Sequence, residues 1–78
     1  MDRAVLIDHL IKAERHIAKG DRILAQQRAL IHELERDGHD SSAARALLHS
    51  MEELQALHFA DRDRVRGEIE DADRASRQ

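Results

Sequence analysis

Six histidines in a chain of 78 residues, His9, His16, His32, His39, His49 and His58, are the first feature here that could do chemistry. Imidazole and carboxylate groups hold a divalent transition metal when several converge at about 2.0 to 2.2 Å, usually from neighbouring helix turns. His58 and Asp61, three residues apart, make the best local pair, and His49 with Glu52 or Glu53 a weaker one. His16 and Glu14 fall near the part of the chain that would face Asp61 to Asp63 in a folded-back structure, so His16, His58 and Asp61 form the candidate cluster. Its functional readings are a metal site or a proton-responsive layer, since an imidazole changes charge over the physiological range. The competing reading is structural: His58 and Asp61 bond each other or a neighbour such as Gln27 or Arg62, and so specify register. That structural reading is preferred, and no cofactor is expected.

Other chemistries have less to work with. Ser41 and Ser42 stand where helix caps belong, Ser50 and Ser76 occupy outer positions, and no strand-turn-helix elbow is available to present a nucleophile. There is no glycine-rich phosphate loop, and tyrosine and tryptophan are absent. The stretch Ile31-His32-Glu33-Leu34 resembles the His-Glu-Leu core of the phosphoacceptor box of sensor histidine kinases. It lacks the proline that follows in that family and lies at the loop end of its helix. A non-enzymatic protein is expected.

The elements that must carry these residues are two long helices. From Leu6 the core-type positions run Leu10, Ala13, Ile17, Gly20, Leu24, Gln27, Ile31 and Leu34, spaced alternately by four and three, which is the period of helices packed along a seam. The pattern stops at Asp37-Gly38-His39-Asp40 and resumes as Ala44, Leu47, Met51, Leu54, His58, Asp61, Val65, Glu68 and Ala72, flanked by Leu48, Leu57 and Ile69. Asp2 is the expected N-cap of the first helix and Gly38 its terminator, glycine being able to take the left-handed conformation cheaply. Either Asp40 or Ser41 can cap the second. The spacing predicts helices over 3–37 and 41–74, a loop over 38–40 and a frayed end over 75–78, all in one domain spanning 1–78. So short a connection forces antiparallel neighbours.

Gly20 could break the first helix, with Asp21 capping a new one. The repeat keeps its phase across Gly20, so continuity is expected, the missing side chain making room for His58 and Phe59 opposite. Gly67 reads as a solvent position. The last stretch alternates charge, with Glu70 and Arg74 four apart in the favourable order.

Composition agrees with this picture and narrows the function. Proline and cysteine are absent, glycine occurs three times, the charged fraction is 37%, and Phe59 is the single aromatic residue. Disulfides are excluded, and nothing implies an oxidising compartment. The net charge of -3, with both signs interleaved, gives no field for nucleic acid. No apolar run approaches the length of a membrane span, and the polar faces are too mixed in sign for a membrane surface. A soluble, cytoplasmic protein is expected.

Two helices touching along one seam leave apolar residues wet, and burying each is worth about 1.5 to 3 kcal/mol. A homodimer forming a four-helix bundle would cover them, as would an unidentified protein partner. The expected interface comprises Leu10, Ile17, Ile23, Leu24, Leu30, Ile31, Leu47, Met51, Leu54, Leu57 and Phe59.

Residues 13–20 (Ala-Glu-Arg-His-Ile-Ala-Lys-Gly), Gln27-Arg28, residues 34–41 (Leu-Glu-Arg-Asp-Gly-His-Asp-Ser) and residues 44–48 (Ala-Arg-Ala-Leu-Leu) together resemble a group of short uncharacterised bacterial proteins. Their loop typically reads Gly-His-Asp followed by threonine or serine. The resemblance implies a compact helical hairpin in which Gly38, His39 and Asp40 serve turn geometry, and it brings no activity with it.

Overall fold

The computed structural model describes residues 2–77; Met1 and Gln78 lie outside the described residues. Two α-helices, α1 (Arg3–Arg36) and α2 (Ser42–Ser76), pack against each other along their length as an antiparallel hairpin about 63 Å long and 15 by 14 Å across. α1 runs straight through Gly20 without a break. α2 continues two residues past the expected boundary, because no glycine or proline interrupts its last turn and Ser76 Oγ bonds back to the Ala72 carbonyl.

The ends are built from the residues expected to build them, with one exchange of roles. Asp2 accepts from the Ala4 amide at the start of α1. At its end the Gly38 amide bonds the Glu35 carbonyl and the His39 amide the Leu34 carbonyl, a closure that places Gly38 at φ 76° in the left-handed region. Ser41 holds the N-cap position of α2, yet its hydroxyl turns away to Glu35 Oε2; it is Asp40 Oδ1 that accepts from the Ser42 amide at 2.9 Å and from the Ser42 hydroxyl at 2.7 Å. Glu35 is also gripped by Arg45 through both Nε and Nη2, so the two helices are latched immediately beside the turn.

α1 presents the expected face. Leu6, Ala13, Ile17, Leu24, Gln27 and Ile31 are buried, with Leu10, Gly20 and Leu34 half-buried between them. In α2 the expected stripe is rotated by one position along half of its repeat. Ala44, Met51, His58, Val65 and Ala72 face inward as read from the sequence, but Leu48, Gln55, Arg62 and Ile69 take the places assigned to Leu47, Leu54, Asp61 and Glu68. The two registers bring the same number of aliphatic residues into the seam. Polar groups decide between them: the expected one would bury the carboxylates of Asp61 and Glu68, which costs several kcal/mol per unpaired ion. The observed one leaves Asp61 exposed and Glu68 half-exposed, both paired with Arg64, and seats Gln55, which finds partners.

Hydrogen bonds from Arg45, and then from Ser41, hold the Glu35 carboxyl below its ordinary range. The Ser42 amide and hydroxyl do the same for Asp40. Both groups titrate lower folded than unfolded, so their contribution to stability is complete above the unfolded values of 4.5 and 3.8 and is lost as pH falls through the folded ones. The thermal midpoint, followed by circular dichroism, should fall as pH drops from about 5 to about 3. Glu35→Gln should flatten that decline; an identical decline in the variant would show that the latch does not couple to folding.

Candidate functional site: the open edge of the hairpin

With α2 in this rotation the two long edges of the hairpin differ in kind. Along one edge run interhelical ion pairs at seven-residue intervals: Glu35 with Arg45 at 2.6 Å, Arg28 with Glu52 at 3.7 Å and Glu14 with Arg66 at 3.3 Å. The rung between the last two belongs to Asp21 and Phe59. Asp21 Oδ1 accepts from Gln55 Nε2 at 2.9 Å, and Phe59 lies under the Arg62 guanidinium, 5.0 Å from the ring centroid. All these ion-pair side chains are about half exposed, so each pair contributes at most about 1 kcal/mol. As a set they make that edge largely charged, with Phe59, 37% exposed, the apolar side chain among them.

The opposite edge carries no such ladder. Ile23 and Leu30, seven apart on α1, run beside Leu47 and Leu54, seven apart on α2, and Leu57 follows one turn beyond Leu54. Leu47 is 50%, Leu54 54% and Leu57 66% exposed. Between the helices on this side opens a groove of about 280 Å³ whose walls are Ile23, Leu24, Met51 and Leu54, with His16, Lys19, Gln55 and His58 at its end nearer the termini.

Gln55 forms the floor between groove and ladder. It is 5% exposed, and its Nε2 donates to the Ile17 carbonyl at 2.8 Å as well as to Asp21, while Oε1 lies 3.0 Å from His58 Nδ1. A Cβ on Gly20 would overlap this amide, with Gln55 Cδ only 2.7 Å away. Gly20 therefore makes room for Gln55, where the expectation was His58 and Phe59. A second glutamine reciprocates nearer the loop: Gln27, 8% exposed, donates to the Ala44 carbonyl at 2.9 Å, so each helix sends an amide into the other's backbone.

The expected cluster divides. His16 and His58 come together, their ring centroids 5.5 Å apart. Asp61 does not join them: it lies exposed on the outer side and pairs with Arg64 at 2.7 Å. His49 pairs with Glu53 on an exposed turn. Among the described residues no group of three histidine or carboxylate side chains is placed to hold a metal ion. The expected interface divides as well. Ile17, Leu24 and Ile31 are consumed by the hairpin seam, Leu10 and Met51 are half-buried, and Ile23, Leu30, Leu47, Leu54, Leu57 and Phe59 stay accessible. Gln55 was the residue missed, and its signal was the glycine opposite, at the same level of the other helix.

Among the described residues no helix is long and apolar enough to cross a membrane. No family model, curated protein or solved structure matches the chain.

The fit of Gln55 over Gly20 separates the two helical glycines. Gly67→Ala meets open space and should raise stability by up to about 1 kcal/mol through helix propensity. Gly20→Ala gains the same propensity but should lower the melting temperature by displacing the Gln55 amide. Gln55→Ala should then offset part of that loss, so the double variant is less destabilised than the two single effects added together. Strict additivity in this cycle would show that the glycine and the glutamine do not interact.

Proposed function

We propose that this protein is a non-enzymatic protein-protein interaction module that self-associates through the open edge of its hairpin. One observation carries the reading: a row of exposed Ile and Leu side chains lies along the loop half of one edge, while the other edge carries interhelical ion pairs with Phe59 between them. The exposed area supports it. The chain exposes 5797 Å², whereas a compact monomer of this mass exposes about 4800 Å². The surplus is of the order that each partner contributes to a standard stable interface, about 800 Å². A second hairpin laid on the open edge would produce a four-helix bundle, and the apolar row would become its core.

A second reading, from a different class, is a proton-sensing bundle, and the adjacent rings of His16 and His58 at the groove favour it. Two imidazolium ions at this separation would repel, so acidification would open the groove. The two readings part in solution. If self-association alone is the function, the dimer equilibrium of His58→Ala varies with pH as the parent's does; if proton sensing is, the variant loses a pH response that the parent shows.

In sedimentation equilibrium the chain should run at twice its 8.9 kDa mass. Leu54→Asp should weaken the dimer by about a hundredfold or more, because a two-fold interface loses the buried side chain twice, while helicity persists since Leu54 is no part of the hairpin seam. A well-folded parent that stays monomeric at millimolar concentration would overturn the proposal.

A further inference from the structure

We infer that two hairpins pair loop beside loop, related by a two-fold axis along their length, so that α1 of one protomer lies on α2 of the other. This deepens the self-association reading and rests on it; the occupant of the open edge is a second copy of this chain in one defined orientation.

The open edge changes character along its length. Its apolar run, Ile23 and Leu30 with Leu47, Leu54 and Leu57, lies in the half nearer the loop, with Val5 a single exposed apolar side chain near the termini. Toward the termini the same two rows turn charged, and with opposite sign on the two helices. The α1 row continues as Lys19, His16, Lys12 and His9; the α2 row continues as Asp61, Arg64, Glu68 and Asp71. Lys12 has Asp8 at 2.9 Å on its own helix, and Arg64 joins Asp61 to Glu68. Among the described residues Lys19, on the wall of the groove, has no carboxylate within 4.0 Å. Glu33, on the α1 row beyond the apolar part, is level with Leu47 at the loop end.

The ion pairs of the closed edge calibrate height along the hairpin. Glu14 is level with Arg66, Arg28 with Glu52 and Glu35 with Arg45. By the same offset Lys19 is level with Asp61, and Lys12 with Glu68. A two-fold axis parallel to the helices preserves height and exchanges α1 for α2 across the interface. It therefore sets apolar half on apolar half over the full length, with Lys19 facing the partner's Asp61 and Lys12 facing the partner's Glu68. The reversed arrangement, with the axis across the helices, lays α1 on α1. Overlapped fully, it puts Leu30 against the charged end near His9 and Lys19 against its own copy. Slid until the apolar parts coincide, it leaves both terminal halves bare and forfeits most of the contact area. Only the loop-beside-loop pairing satisfies both the apolar and the charged halves of the edge.

The chain has no cysteine, so single spin labels can be placed cleanly. His39→Cys reports on the loop and Glu70→Cys on the other end, both exposed. Double electron-electron resonance on each labelled homodimer should give interprotomer distances of bundle width at both sites, well under half of the 63 Å hairpin length. Sedimentation of the same samples should show dimers. A dimer with long distances at both sites overturns the orientation and leaves self-association standing. A monomer without dipolar coupling overturns the self-association reading itself. Lys19→Glu should weaken the dimer about tenfold, and Lys19→Glu with Asp61→Lys should restore it; failure of the double variant to recover overturns the assigned pairing.

Discussion

The structure turns on a buried amide. Gln55 sits where a leucine would usually be placed in a helix pair, and it is tolerated because Gly20 leaves a space for it and the Ile17 carbonyl and Asp21 carboxylate take its hydrogens. A primary amide sealed in an apolar seam without partners costs a few kcal/mol, so a rotation of α2 that strips those partners is heavily penalised. Leucine packing offers no such discrimination here, since rotating α2 by one residue exchanges some leucines for others. The polar contact therefore does what a buried asparagine does in a coiled coil: it selects one of several packings that hydrophobicity alone would leave nearly equal in energy.

Once that rotation is set, the character of each edge follows. In an antiparallel pair the residues flanking the seam on one side of α1 meet those flanking it on the same side of α2, so the chain can make one edge charged and the other apolar. Here Glu14, Arg28 and Glu35 meet Arg66, Glu52 and Arg45, opposite signs at each of these three rungs. The alternation of sign also resists sliding: moving α2 by one heptad would set Glu35 against Glu52 and Glu14 against Asp73 in one direction, and Arg28 against Arg45 in the other. Weak individually, the pairs fix register collectively and leave the leucines of the other edge as the place where apolar surface remains.

Much of this was legible in the sequence, and what was not has a definite cause. Every inward position of α1 was readable because Ala13 and Ile17, flanked by polar or small residues, fix the phase between apolar pairs such as Leu10-Ile11 and Ile23-Leu24, and that phase survives Gly20 and Gln27. α2 is ambiguous by construction: Leu47-Leu48, Leu54-Gln55, Asp61-Arg62 and Glu68-Ile69 place two candidates side by side at alternate core positions. Ranking them by hydrophobicity favours Leu54 over Gln55, and the error carries Asp61 into the interior with it. Two clues could have broken the tie, the glycine on α1 at the level of residue 55 and the charge complementarity of residues 14, 28 and 35 with 66, 52 and 45. Both are properties of the helix pair, invisible to any reading of α2 alone. His58 was legible as an inward histidine, but its partner was not, because the hydrogen bond to Gln55 exists only in the register that the tie concealed.

That register also bears on the proposed self-association. The fully buried aliphatic set is short, Leu6, Ile17, Leu24, Ile31 and Val65 with Ala13, and it is spread in single file along 63 Å instead of gathered in one cluster. Each of these side chains touches only the facing helix, so the hairpin lacks the second layer that gives a small domain its margin. Leu47, Leu54 and Leu57 are the material for such a layer, held out of the seam by the amide and aimed away from the ladder. Placing Gln55 inside and the leucines outside leaves that apolar surface available to the proposed intermolecular contact. With such a contact the stability of the fold would rise with its own concentration, and a change on the open edge would act on the folded population through mass action without touching the hairpin.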